Sequence, residues 1–292
     1  MKTEPECLAC FIKQAVLTAR QVSDDPAIIF AAVQEAARHF PALDLDLTPP
    51  ENSRQLVEAV VAYLGVEDPF REAKARYNAL ALRGHDALRR HVQGAADPLE
   101  AAVRVSAVGN ILDLSYFERV DVSALIDEVQ RTGLAVNHYE RLRDDLARAG
   151  RVLILGDNAG EIVFDLPLAE LLRDKDLYYG VKAAPIANDV TAADARQVGM
   201  DRFATVVSIG CAVQGAPLDQ CSREFRALFH SADVIIAKGQ GNFETLDAVD
   251  ANLYFIVRAK CAPTARALGV EVGEMVLLSQ RARREGQERP GR

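Results

Sequence analysis

The chain has 292 residues, with 34 Lys and Arg against 42 Asp and Glu for a formal charge of −8. Hydrophobic residues make up 49%, which excludes wholesale disorder, and a pI near 5.3 argues against a surface that coats nucleic acid. No apolar run reaches the roughly 18 residues that a membrane span requires, and Glu4 and Glu6 stand where a signal peptide would carry its apolar core. A cytoplasmic globular protein is expected, of one large domain or two at about 150 residues each.

Up to residue 149 the pattern is helical. Phe11, Ile12, Ala15, Val16 and Ala19 recur at helical spacing, as do Ile28, Ile29, Ala32, Val33 and Ala36, then Leu56, Val57, Val60, Val61 and Leu64. Breaks fall at Asp25-Pro26, Pro41, Pro49-Pro50 and Asp68-Pro69. Asp97-Pro98 opens a further helix with proline at its favoured first position. Within the first helix, Cys7 and Cys10 have the spacing of a redox pair or half a zinc site, but no strand precedes them and no second such pair follows. Cys261 is a candidate third thiolate for a second metal or thiol site; two half-buried helix residues are the plainer alternative. Near residue 110, Asn110 and Asp113 share a helix face. They either close a site from the helical side or mark a helix-to-loop boundary, and Gly109 beside them costs helix stability unless something approaches closely.

After Gly150 the texture changes. Short apolar runs at 151–155, 177–181, 204–207, 234–237, 253–257 and 275–278 read as strands buried on both faces. Helical stretches at 161–173, 192–198 and 218–229 separate several of them. This alternation predicts an α/β fold: a Rossmann-like three-layer α/β/α domain over 150–292 with a mostly parallel sheet, joined to a helical region over 1–149. The polar tail at 280–292 is expected to fray. In such sheets ligands bind beyond the carboxyl ends of the strands, so the residues just after each run carry the chemistry.

The first run leads into Gly156-Asp157-Asn158-Ala159-Gly160-Glu161, and the second into a loop with Asn188 and Asp189. Asp157, Asn158 and Asp189 are hard oxygen donors suited to part of the shell of a divalent cation; each acidic loop serves equally well as a helix cap. The run at 234–237 continues into Lys238-Gly239-Gln240-Gly241-Asn242-Phe243-Glu244, where two glycines flank polar groups and would let a phosphate or sugar approach the backbone. Lys238 there either meets an anion or neutralises a nearby carboxylate. Lys260, after the run at 253–257, is a second cation at the same sheet edge and suits a tetrahedral anion. Neither a Walker loop nor a G-x-G-x-x-G pattern is present, which weakens an NTPase or oxidoreductase reading.

Taken together, C-L-A-C-F-I-K-Q-A at 7–15, G-N-I-L-D at 109–113, G-D-N-A-G-E-I-V-F-D at 156–165, P-I-A-N-D-V-T at 185–191 and K-G-Q-G-N-F-E at 238–244 resemble the damage-control phosphatases, formerly the domain-of-unknown-function family 89. The likeness spans nearly the whole chain in order, and the C-x-x-C with Lys260-Cys261 is similar to the prokaryotic branch. It implies a metal-dependent phosphatase acting on small phosphorylated metabolites, with a manganese, cobalt, nickel or magnesium ion on Asp157, Asn158 and Asp189. It also implies that Lys260, Asn242 and Glu244 border the phosphate pocket. On this reading Asp157 and Lys260 are catalytic, while Asn110, Glu161, Asn188, Lys238, Asn242 and Glu244 contact substrate. Other branches carry Arg-Thr-x-Lys where this chain has Arg258-Ala259-Lys260-Cys261, so their substrate preference is not carried over. The nucleophile is Asp157 or a metal-bound water. A non-catalytic binder of phosphometabolites or nucleotides uses the same loops, and it is the alternative to a phosphatase.

Overall fold

The computed structural model describes residues 1–110, 122–131 and 133–287. Helices α1 (Cys7–Arg20), α2 (Pro26–Ala37) and α3 (Pro49–Leu64) open the chain. Their limits follow from the breaks in the sequence. The Asp25 carboxylate accepts a hydrogen bond from the Ala27 N–H at 2.8 Å, and Pro26 takes the first position of α2. Thr48 and Glu51 form a capping box at the head of α3, and Gly65 ends it at φ 67°. The apolar stripes then meet: Cys7, Phe11, Ala15, Ala19, Ala32, Ala36, Leu56 and Val60 form a small core of their own.

Next come α4 (Arg71–Gln93), α5 (Pro98–Gly109), α6 (Val122–Arg131), β1 (Val136–Asn137) and α7 (Tyr139–Arg148). Strand and helix then alternate through β2 (Arg151–Leu155), α8 (Glu161–Leu172), β3 (Asp176–Val181), α9 (Ala192–Val198), β4 (Thr205–Ser208), α10 (Arg223–Ser231), β5 (Val234–Lys238), α11 (Gly239–Leu246), β6 (Leu253–Arg258), α12 (Ala262–Leu268), β7 (Met275–Ser279) and α13 (Gln280–Gln287). Among the described residues the strands form one seven-stranded sheet in the order β1-β7-β6-β5-β2-β3-β4. All neighbours run parallel except β6 and β7. This is the expected Rossmann-like α/β architecture.

Alternation along β2 accounts for the layers. Val152 and Ile154 enter a core with Leu88 of α4, Val105 of α5, Leu142 of α7 and Phe164 of α8. Leu153 and Leu155 enter a second core with Phe229 of α10, Phe243 of α11 and Leu268 of α12. The change of texture at 149/150 is therefore crossed by packing, because α4, α5 and α7 cover one face of the sheet. At position 109, a Cβ would lie 2.9 Å from Phe164 Cβ, so the glycine is what lets α5 press onto α8.

Three expectations change. The helix read at 218–229 begins only at Arg223, where Ser222 accepts from the Phe225 N–H at 3.1 Å; residues before it belong to a loop. The short β1 lacks a sequence signature, being only two residues long, yet it pairs in parallel with β7. The tail does not fray from residue 280. It forms α13, in which Arg284 reaches Asp250 at 3.0 Å and Arg283 lies over the Phe243 ring at 5.5 Å.

Candidate active site

β3 and β4 lie on one side of β2, and β5 to β7 on the other, so the order of the sheet reverses between β2 and β5. A crevice beyond the carboxyl ends of these strands is where an open parallel sheet takes its ligand. The loops that leave β2, β3 and β5 meet there.

None of the acidic residues in the first two loops is a helix cap. The N-cap of α8 is Gly160, at φ 82° and without a side-chain bond, while α9 is capped by Thr191 with Asp194. Backbone bonds instead stitch the two loops together. Ala159 N–H donates to the Asn188 carbonyl and Val190 N–H to the Asp157 carbonyl, each at 2.9 Å, and Asn158 faces Asp189 in an antiparallel bridge. Asp157, Asn158 and Asp189 thereby come together from separate loops. Asn188 contributes its carbonyl to this stitch and is half-buried. Just before it, Ala187 holds φ 45°, a strained conformation of the kind that collects at functional turns.

The neighbourhood is densely charged and almost dry. Asp157, Glu161, Asp165, Asp189, Lys182 and Lys238 are all buried. That sets four carboxyl groups against two ammonium groups. Burial pushes Asp157 well above the usual carboxylate range, reinforced by the charges of Glu161 and Asp189 and opposed by Lys260 and Lys182. Asp189 is pushed up to about 6, mainly by burial, with Lys182 opposing. Its carboxylate is buried and ion-paired with the Lys182 ammonium, 3.5 Å from one oxygen, and Gln214 also opposes the rise. One ammonium at that distance offsets the cost of burying the charge only in part.

Lys238 fills the second role its sequence position allowed, not the first. Its ammonium lies 2.9 Å from Glu161 and 2.6 Å from Asp165 and donates to the Ser106 carbonyl at 3.0 Å. All three donors are used, so it supports the floor of the site and has none left for a phosphate. Burial alone would lower its pKa, but Asp165 and Glu161 outweigh that and hold it above its ordinary value. Asn110 spans the carboxylates, its amide donating to Asp157 at 3.2 Å and to Glu161 at 3.1 Å. Asp113 lies outside the described residues. Asn242 is buried and donates to the carbonyls of Gly156 and Lys238, tying β2 to β5.

Lys260 is exposed at the rim, its backbone N–H donating to Gln240 Oε1 at 3.0 Å. Glu244 is buried, accepts from Gln240 at 2.7 Å and from Thr264 at 3.2 Å, and is pushed up to about 7, chiefly by burial. Cys7 is buried, Cys10 exposed and Cys261 half-buried. Burial raises both thiols of the C-x-x-C pair, and the charges of Cys261 and Glu244 add to it.

Several polar residues here carried no role in the sequence reading: Lys182, Asp165, Tyr179, Gln240 and Thr264. Two had a signal. Lys182 ends an apolar strand just as Lys238 does, and Asp165 sits in a helix that is buried on every side, where a carboxylate needs a partner. That partner set is Lys238, Ser106 at 2.6 Å and the Tyr179 hydroxyl at 2.8 Å.

The site fits a divalent cation in charge and donor type: two buried carboxyl groups and an amide, in a neighbourhood with more carboxyl than ammonium groups. Among the described residues no three His, Cys, Asp or Glu side chains form a ready ligand set. Glu161 beside them is engaged by Lys238 and Asn110.

Comparison with known proteins identifies the family. The damage-control phosphatase ARMT1-like domain matches residues 3–276. The chain belongs to the damage-control phosphatase family. It is 32% identical to a damage-control phosphatase of Pyrococcus horikoshii, covering 95% of this chain and 98% of that one. It is 34% identical to a damage-control phosphatase of Archaeoglobus fulgidus, covering 94% and 98%. The crystal structure of a DUF89 family protein from P. horikoshii superimposes with a TM-score of 0.89 at 32% identity, covering 96% of this chain and 99% of that one. Among the described residues no helix is long and apolar enough to cross a membrane.

Proposed function

We propose that this member of the damage-control phosphatase family is a metal-dependent phosphatase of small metabolites, hydrolysing the phosphate monoesters of sugars or related damaged phosphometabolites. The observation that carries the reading is the burial of four carboxyl groups, Asp157, Glu161, Asp165 and Asp189, against two ammonium groups where the sheet order reverses. Its relatives' names support the reaction class. Asp157, Asn158 and Asp189 would hold a manganese, cobalt, nickel or magnesium ion. Bound there, the ion supplies Lewis-acid polarisation of a phosphoryl oxygen and a more acidic coordinated water.

The chain's own residues do the rest. Lys260, exposed at the rim and singly charged, neutralises equatorial oxygen charge as the ester bond breaks. Asn110 holds Asp157 and Glu161 side by side, and Lys238 fixes Glu161 from below. Fixed donors of this kind lower the barrier because they need no reorganisation during reaction. Gln240 and Glu244 present an amide and a carboxyl group on the β5 side, suited to the hydroxyls of a sugar. Glu244, near neutral in pKa, can hold or release a proton at working pH.

Phosphate release from fructose 1-phosphate and p-nitrophenyl phosphate tests this. Turnover should require an added divalent ion and fall about 10³-fold in Asp157→Ala, with circular dichroism unchanged. Activity that persists after exhaustive chelation would overturn it, as would tight binding of the phosphoester with no product under any ion.

A further inference from the structure

The segment joining β4 to α10 folds back on itself. Ser222 N–H donates to the Ile209 carbonyl at 3.0 Å, and Gly210, at φ 88°, sits where a Cβ would meet Ser222 at 2.5 Å. Its ends therefore touch, in the manner of an Ω-loop. The middle of the loop is docked on two elements of the site. The Lys182 ammonium donates to the Gly215 carbonyl, and Ala216 N–H donates to Thr245 Oγ1 at 2.9 Å. Gly215 lies against Gly241, close enough that a Cβ would come within 2.2 Å of the Gly241 carbonyl. At the base of the loop stand Cys211 and Cys221, both buried, both free thiols, with their sulfurs 3.9 Å apart. Cys211 also accepts at its carbonyl from Ala183 N–H at 3.1 Å, next to Lys182.

We infer that Cys211 and Cys221 form a thiol-oxidation site at which a hydroperoxide converts the pair to a disulfide, clasping the loop that supports Lys182. Nothing in the sequence pairs Cys211 with Cys221; the fold brings these two into contact. The reaction is balanced without any further partner. The Cys211 thiolate attacks one peroxide oxygen, the O–O bond breaks, and Cys211 sulfenic acid and hydroxide result. The Cys221 sulfur then attacks Cys211 Sγ, and the sulfenic oxygen leaves as water. Two thiols and one hydrogen peroxide become one disulfide and two waters. The neighbouring Cys221 sulfur pulls the Cys211 thiol down to about 7 against its burial, which favours the thiolate as the attacking sulfur. The sulfurs must close from 3.9 Å to about 2.05 Å.

The crosslink would hold the base of the loop and so hold Gly215 beneath Lys182, which stands against Asp189. This follows from the loop geometry alone and does not depend on the reaction proposed above. Full-length folded protein treated with hydrogen peroxide, denatured and alkylated, should lose two of its five thiols and yield a peptide linked between Cys211 and Cys221. Dithiothreitol should restore both. Amide exchange at Val213 to Ala216 should slow in the oxidised form and recover on reduction. Cys221→Ser should stop at a sulfenic acid on Cys211, trapped by dimedone. Should that variant fail to fold, the triple variant Cys7→Ser, Cys10→Ser, Cys261→Ser decides, since it must still lose two thiols. A link between any other pair, crosslinking between chains, or no thiol loss under peroxide that oxidises a free-thiol control would overturn the inference.

Discussion

In the bundle of α1 to α3, the core is made of Cys7, Phe11, Leu56, Val60 and a set of alanines, and α2 and α3 begin at caps of their own. At the carboxyl ends of β2, β3 and β5 the buried side chains are Asp157, Glu161, Asp165, Asp189, Lys182 and Lys238. Both regions exclude water, but the first gains free energy from apolar contact while the second carries desolvated charge that mutual pairing offsets only in part. The difference teaches where stability and chemistry reside. A bundle residue can be altered at the cost of its packing, whereas a rim residue left unpaired exposes its neighbours to the full penalty of burial.

Lys238→Met tests the charged region most severely. It strands Asp165 and Glu161 without their counter-charge and should cost about 3–5 kcal/mol in denaturant unfolding. A loss under 1 kcal/mol would mean that the carboxylates find other partners. Phe11→Ala probes the apolar region, where a cavity in the bundle core should cost about 3 kcal/mol. Divalent-ion affinity, read by titration calorimetry, should stay unchanged in that variant; a large drop would show the two regions to be coupled.

The pH dependence sharpens the contrast. Burial raises the Glu244 carboxyl to about 7 in the folded protein, above the ordinary glutamate value. Its contribution to stability is therefore fully present below the unfolded value and is lost as pH rises through the folded one. From pH 4.5 to 7 this amounts to roughly 3 kcal/mol as an upper figure. Glu244→Gln should flatten that part of the stability profile of the metal-free protein, and equal slopes in both proteins would remove Glu244 as the cause. The smallest effect belongs to the bundle surface: Asp25→Ala removes the cap of α2 and should cost about 1 kcal/mol in thermal unfolding without altering turnover.

Much of the fold was legible because its signals are local. The glycine-bounded apolar runs named the strands from β2 onward, and proline with aspartate named the starts of α2 and α5. The two-residue β1 was not legible, since it is defined by its partner β7. The helix start at Arg223 was blurred because Leu218 and Cys221 of the preceding loop pack against the core without being helical. In the candidate site, the clustering of Asp157, Asn158 and Asp189 was anticipated from loop composition. The cap reading of these loops was set aside only by Gly160 and Thr191 taking the cap positions.

Sequence alone determined the order of strands and helices, the loops that hold oxygen donors and lysines, and the glycines that permit close approach. Those features depend on side-chain period and backbone conformational preference, which act over a few residues. Tertiary structure decided which charges neutralise one another. It placed Lys238 under the site and left Lys260 exposed at its rim, and it brought Cys211 against Cys221. Position along a strand fixes which way a side chain points, but only the packing of distant elements fixes what it meets and how much water remains between them.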